Sequence, residues 1–290
     1  MNVVVVGGGA WGTAFADLLT GRGHDVSVAV RATLDEAPYE QADLVVIAVP
    51  SRAFREVLDH IRGSAPVLSL VKGLDPATGE RLSTLVGDRP VAVLSGPNMA
   101  EEVAAGLPGA TVIASEDEGL ALRLQEAITS STFRVYTNTD LIGVELCAAA
   151  KNVIALAAGG ADGLGVGDNA KAAIITRGLA EMARLGEAAG AQQETFSGLA
   201  GLGDLVVTCW HPSGRNRRAG ELIARGASAE EAKAQIGQVV EGLTTAPVLR
   251  DLSHRLGVEL PITEGVCAVL DGMPLGELLG SLMGRRPTDE

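Results

Sequence analysis

Aromatic side chains make up only 3% of these 290 residues. With so few large rings, the interior has to be filled by Val, Leu, Ile and Ala, which suit close helix-on-sheet packing. Cysteine is as scarce: Cys147, Cys209 and Cys267 form no C-x-x-C pair, which excludes a disulfide framework and suits the reduced, buried thiols of a cytoplasmic protein. Positive charge is also short, with a net charge of −13. That disfavours nucleic acid or an anionic membrane as partner and requires a locally basic pocket for any anionic substrate. No basic segment precedes Val3, so no signal peptide is expected. His24, His60, His211 and His254 are scattered without metal-ligand spacing, and no metal is expected. The long apolar stretch from Leu141 to Gly160 carries two charges, several glycines and mostly alanine, which makes it a buried core helix rather than a membrane span.

Strand-like apolar runs recur in the first half at Val3–Val6, Val26–Val30, Leu44–Val49, Val67–Val71, Val91–Leu94, Thr111–Ala114 and Phe133–Tyr136. Helical patterns separate most of them, for example Trp11–Arg22, Arg52–Ile61 and Gly119–Thr129. Val/Ile/Leu runs without alternation mark strands covered on both faces, and strand–helix repetition predicts a doubly wound parallel α/β sheet. After Thr137 only helical patterns follow: Leu141–Ala158, Lys171–Ala189, Ala219–Ala224, Ala229–Gln235, Thr244–Leu256 and Ile262–Leu270. The expected organisation is an α/β domain over 1–137 and an all-helical domain over 138–290. The Arg31–Ala42 connection is short for a parallel crossover and reads mostly as loop.

The chain opens with strand, glycine turn and helix start: Val3-Val-Val-Val-Gly7-Gly-Gly9-Ala10-Trp11-Gly12. Gly7 permits the tight turn, Gly9 admits a pyrophosphate to the backbone, and Gly12 lets helix and strand pack closely. The helix N-terminus then offers free N–H groups to phosphates. In that context the motif predicts a Rossmann-type dinucleotide site. Arg31, at the end of the second strand, favours NADP over NAD, against the competing reading of an ordinary surface arginine.

Lys151 has Cys147, Ala148, Ile154 and Ala155 at touching helical spacings. An ammonium held there loses hydration, its pKa falls toward neutrality, and it becomes able to exchange protons at physiological pH. A lysine whose stem packs on the core while its head reaches water is the competing reading. Lys72 and the Gly96–Ala100 turn follow the fourth and fifth strands and should face one crevice. Gly198–Gly203 is a glycine-rich bend delivering Asp204, with Thr208 beyond it; a turn or cap role is the bland alternative for this carboxylate. Ser213-Gly214-Arg215-Asn216-Arg217-Arg218 places three arginines among four residues, an anion trap in an acidic chain or else a solvated helix start.

In their order, G-G-G-A-W-G, A-V-P-S (48–51), V-K-G-L (71–74), S-G-P-N-M-A-E-E-V (95–103), E-L-C-A-A-A-K-N-V (145–153), G-D-N-A-K-A-A (167–173), G-L-G-D-L (201–205), R-N-R-R (215–218) and V-V-E-G (239–242) resemble the NAD(P)-dependent glycerol-3-phosphate dehydrogenases of soluble bacterial type. The resemblance covers nearly the whole chain. It implies reversible, NAD(P)H-dependent reduction of dihydroxyacetone phosphate to sn-glycerol 3-phosphate for phospholipid synthesis, by a cytoplasmic homodimer. It also implies a catalytic set of Lys151 as general acid/base with Lys72, Asn152 and Asp204. Gly96, Asn98, Thr208, Gly214, Arg215 and Asn216 would complete the substrate site, with Arg215 and Asn216 at its phosphate end. Gly7, Gly9, Ala10, Trp11, Gly12, Arg31, Lys72, Ala100, Arg215, Val240 and Glu241 would hold the cofactor, NADP or NAD.

Three departures from the family pattern stand out. The segment after the second strand is short, so that Arg31 could align with its far end instead. Asn98 replaces the usual Ser or Thr, and Gly214 replaces a common serine. A related hydroxy-acid or 6-phosphogluconate-type dehydrogenase is disfavoured by the Arg215-Asn216 and V-V-E-G blocks. A catalytically silent dinucleotide sensor is disfavoured by the joint presence of Lys72, Lys151, Asn152 and Asp204.

Overall fold

The computed structural model describes residues 1–278. Seven strands form one sheet: β1 (Asn2–Val6), β2 (Asp25–Ala29), β3 (Leu44–Ile47), β4 (Val67–Ser69), β5 (Val91–Ser95), β6 (Gly109–Ala114) and β7 (Phe133–Asn138), in the order β2-β1-β3-β4-β5-β6-β7. In β1, Val3 and Val5 point into one core with Phe15 and Leu19, while Val4 and Val6 point into another with Phe54 and Tyr39. Both faces are covered, which is why the strand reads as an unbroken valine run.

The two covers differ in kind. One face carries the regular helices α1 (Ala10–Gly21) and α4 (Glu118–Ile128). The other is closed by short pieces: 3₁₀ turns at Arg31–Glu36, Tyr39–Gln41 and Leu82–Val86, and α2 (Phe54–Leu58), which continues a 3₁₀ turn at Ser51–Ala53. The helix expected over Arg52–Ile61 is therefore shorter, and the Arg31–Ala42 crossover is made of 3₁₀ turns.

One strand pair departs from the expected parallel sheet: β5 and β6 run antiparallel. Between them lies only α3 (Ala100–Ala104), five residues long, which does not carry the chain back across the sheet. Without a crossover the chain can only return antiparallel beside β5.

Beyond Asn138 every element among the described residues is helical: α5 (Leu141–Leu164), α6 (Asp168–Ala188), α7 (Gln193–Ser197), α8 (Asp204–Trp210), α9 (Arg215–Ala224), α10 (Ala229–Ile236), α11 (Glu241–Leu256) and α12 (Pro261–Leu270). Asp140 caps α5 through the Gly143 N–H and also accepts the Thr195 hydroxyl, which ties α7 to its start. α5 is long and apolar enough to cross a membrane, but 89% of its apolar window is buried inside the protein. It is the central helix of this half, with α6, α8, α9 and α11 packed around it. Against α9 the backbones nearly touch: a Cβ on Gly159 would run into the Arg217 carbonyl, and one on Gly220 into the Leu156 carbonyl. Cys147, Cys209 and Cys267 are free and buried.

Candidate active site

The centre of the site is Asp204, a buried carboxylate where a wide π turn (Leu199–Gly203) runs directly into α8. The glycine-rich bend expected there is thus continuous with the helix, and such π segments recur at functional sites. Asp204 Oδ1 accepts from Lys151 Nζ at 2.5 Å, and Oδ2 from Lys72 Nζ at 2.8 Å. Thr208, one turn along α8, accepts from Lys151 Nζ at 2.9 Å and donates to Asp204 Oδ1 at 3.2 Å. Lys72 Nζ also donates to the Gly96 carbonyl and to Asn98 Oδ1 at 2.8 Å. Lys72, Gly96, Asn98, Lys151, Asp204 and Thr208 therefore form one bonded cluster, drawn from two strand ends and two helices.

Two lysines around one carboxylate leave an excess positive charge within an acidic chain when both are protonated. Lys151 is only 4% exposed. Burial strips its ammonium of water and, despite the Asp204 attraction, lowers its pKa to about 7; Lys72 pushes the same way. Burial opposes ionisation of Asp204 too, but the two ammoniums outweigh it and hold the carboxyl below its ordinary range.

Asn98 spends its amide on the protein. It accepts from Lys72 and donates to the Thr111 hydroxyl at 3.0 Å, which is itself bonded to the Ser95 carbonyl. One amide N–H remains for a ligand, since the group carries two. Asn152 and Asn216 lie behind the cluster. Asn152 donates to the Lys72 carbonyl at 2.9 Å and accepts from Asn216 Nδ2 at 2.9 Å. Asn216 Oδ1 in turn accepts the Gly242 N–H at 2.8 Å. This relay joins the β4 strand end to α5, α9 and α11 and fixes the backbone that carries Lys72.

The three arginines do not make a single trap. Arg217 is tied to Asp162 and Glu221, while Arg218 is exposed. Arg215 is also exposed and donates to the Val239 carbonyl at 3.0 Å, which draws it to the start of α11 at Val240 and Glu241. Gly214 begins α9 tightly against the Thr208 and His211 carbonyls, where a serine Cβ would meet contacts of 3.0–3.1 Å.

At the sheet's switch point between β1 and β3, Gly7 has φ +122°, and a Cβ there would strike the Ala48 carbonyl. A Cβ on Gly12 would strike Gly7. Gly9 is different: nothing in the protein lies within 4 Å of where its Cβ would be, so its smallness leaves open room. It precedes Ala10 at the start of α1, with no side-chain cap and no acidic residue in the first turn. Free N–H groups, open space and no competing carboxylate fit a dinucleotide pyrophosphate. The indole N–H of Trp11 is buried without a partner beside them. Arg31 stands apart, its side chain 88% exposed and paired with Glu56 at 3.2 Å. Such a surface pair is worth about 0–1 kcal/mol and would yield readily to a phosphate. Ala100 is the first residue of α3.

Residues 28–121 match the N-terminal model of NAD-dependent glycerol-3-phosphate dehydrogenase, and residues 140–277 match its C-terminal model. The chain belongs to this family. A glycerol-3-phosphate dehydrogenase (NAD(P)+) of Gloeobacter violaceus is 46% identical over 303 aligned positions, covering 100% of this chain and 99% of that protein. One of Moorella thermoacetica is 43% identical over 326 positions, covering 100% and 97%. That alignment is longer than the 290-residue chain, so the relative carries segments missing here. The crystal structure of glycerol-3-phosphate dehydrogenase from Coxiella burnetii superposes with a TM-score of 0.92 at 37% identity, covering 98% of this chain and 99% of that one.

Within this family frame the structure adds residues that sequence reasoning missed. Ser51 gives both its N–H and its hydroxyl to Glu241, at 3.0 and 2.7 Å, locking the loop after β3 to the start of α11. Ser95 donates to Asp204 at 3.3 Å and Thr111 supports Asn98. Ser51 ends the A-V-P-S segment (48–51), but nothing local shows that a serine's partner is 190 residues away.

Proposed function

We infer that this chain reduces dihydroxyacetone phosphate to sn-glycerol 3-phosphate, reversibly and with NADPH or NADH, supplying glycerophosphate for phospholipid synthesis. The observation that carries the reading is the Lys151–Asp204–Lys72 bridge: a lysine tuned to neutrality, held by a carboxylate and flanked by a second cation. When bound, the nicotinamide supplies the hydride. Lys151 donates its proton to the C2 oxygen as that oxygen gains negative charge, and takes it back in the oxidation direction. Asp204 keeps Lys151 in place and offsets part of the cost of burying it. Lys72, with a part-exposed head, orients the carbonyl beside the cofactor. Arg215 has donors to spare for the substrate phosphate, and Asn216 contributes its remaining amide N–H.

This reading assigns residues 1–137 to dinucleotide binding and 138–290 to substrate binding and catalysis. The end of the sheet at Asn138 and the start of α5 at Leu141 support that division. A homodimer is what the family resemblance implies, and the three free, buried thiols suit a reducing compartment such as the cytoplasm.

The test is direct. Purified protein should oxidise reduced nicotinamide only when dihydroxyacetone phosphate is added. Binding of both cofactors without turnover would instead make the chain a sensor. Arg31 supports NADP over NAD, so kcat/KM should be higher with NADPH, and Arg31→Ala should narrow the gap.

The pH dependence has a defined sign. Lys151 is the acid in reduction, and its pKa is lowered to about 7, so the active protonated form is lost as pH rises through that value. kcat/KM for dihydroxyacetone phosphate should fall from about pH 7 upward, while kcat/KM for glycerol 3-phosphate oxidation should rise across the same window. Profiles that move in parallel in both directions would contradict a single acid/base at Lys151.

A further inference from the structure

Asp162 lies on α5, eleven residues after Lys151, about three turns and therefore on nearly the same face. That is about 16 Å along the axis, too far for it to touch a three-carbon substrate at Lys151. Its Oδ2 accepts from Arg217 Nη1 at 2.7 Å and from Lys171 Nζ at 2.8 Å. Arg217 Nη1 also pairs with Glu221 Oε2 at 3.1 Å, while Nε donates to the His211 carbonyl at 3.2 Å and Nη2 to the Pro212 carbonyl at 3.0 Å. The Arg217 and Lys171 side chains are 12% and 7% exposed, and Lys171 sits 4.8 Å over the ring of Trp210, the last residue of α8.

Both main-chain acceptors of Arg217 lie on one short turn. His211–Gly214 joins α8, which carries Asp204 and Thr208, to α9, which begins with Arg215 and Asn216; the Gly214 N–H closes it on the His211 carbonyl at 3.0 Å. A planar guanidinium that donates to two successive carbonyls fixes their orientation, which a flexible ammonium cannot do. Close contact of α5 and α9 at Gly159 then sets where Arg217 stands relative to the helix of Lys151.

We propose that Asp162, acting through Arg217, is a positioning residue for the phosphate end of the substrate, setting where Arg215 and Asn216 stand relative to the Lys151 proton donor. The proposal rests on dihydroxyacetone phosphate being the substrate. It assigns a function to a charged network that neither touches the reacting atoms nor lies in the cofactor crevice.

The test compares kcat/KM for dihydroxyacetone phosphate with kcat/KM for dihydroxyacetone, which lacks the phosphate. In Asp162→Asn the ratio should fall about tenfold, mainly through KM for the phosphorylated substrate, because a misplaced anchor harms only the substrate that uses it. Arg217→Lys keeps a cation for Asp162 but cannot reach both carbonyls. It should produce the same fall, and it covers the case in which Asp162→Asn does not fold. Equal losses on both substrates, with the ratio unmoved, would reduce the network to a structural role and overturn the proposal. Absence of turnover in the parent protein would instead overturn the reading on which it rests.

Discussion

Replacing Lys151 with methionine should lower kcat for dihydroxyacetone phosphate reduction by about 10²–10⁴-fold, the range lost with a positioned general acid. Binding of the dinucleotide, followed by fluorescence titration, should be unchanged. Methionine is close to the lysine stem in volume, so the apolar wall around position 151 stays filled. Asp204 keeps Lys72 on Oδ2 and the Thr208 hydroxyl on Oδ1, so the carboxylate is not left unpaired. The loss should therefore fall on chemistry rather than folding. Full activity in a folded Lys151→Met protein would show that the proton comes from elsewhere, with Lys72 the next candidate.

Removing Asp204 should act on both stability and rate. Asp204→Ala strips two ammoniums of their shared counterion. Lys72, with a part-exposed head, can recover water; Lys151, at 4% exposure, cannot. Breaking one partner of a buried ion pair costs about 3–5 kcal/mol, less whatever is regained when Lys151 gives up its proton. The urea midpoint should fall accordingly. Because the Asp204 attraction raises the Lys151 pKa against burial, its loss should move the alkaline limb of the reduction profile to lower pH. Asp204→Asn keeps the shape and should recover much of the stability while retaining the displaced limb. An unchanged profile in both variants would mean that the bridge does not set the protonation of Lys151.

Much of this was readable in the chain because it is written locally. The unbroken Val3–Val6 run, the glycine turn and the bare start of α1 are neighbours in sequence, and short-range sterics specify them. Lys151 stood out because its helical neighbours are apolar, and burial did lower its pKa. The 1–137 strand runs and the later helices also follow from hydrophobic period alone. Strand direction does not: nothing in Val91–Ser95 or Gly109–Ala114 says that β5 and β6 run antiparallel, since a buried strand has the same composition either way. The π turn before Asp204 was hidden as well, because glycines signal a bend without giving its hydrogen-bond step.

Side-chain partnerships were the least legible part. The arginine cluster at 215–218 reads as an anion trap or as a solvated helix start; α9 turns Arg217 inward to Asp162 and leaves Arg215 and Arg218 outside. Asn216 looked like a substrate contact, and most of its amide is spent on Asn152 and Gly242.

By itself, the sequence determined the residue types, their order and their local conformations, and with them the family, the dinucleotide turn and a lysine set in an apolar helix. Only the tertiary structure decided that Asp204 serves two lysines, 132 and 53 residues away, and that Ser51 holds Glu241 across 190. The physical reason is range. Backbone sterics and hydrophobic period act over a few residues, whereas the protonation of Lys151 depends on burial and on charges that meet only when the sheet and the helices have packed.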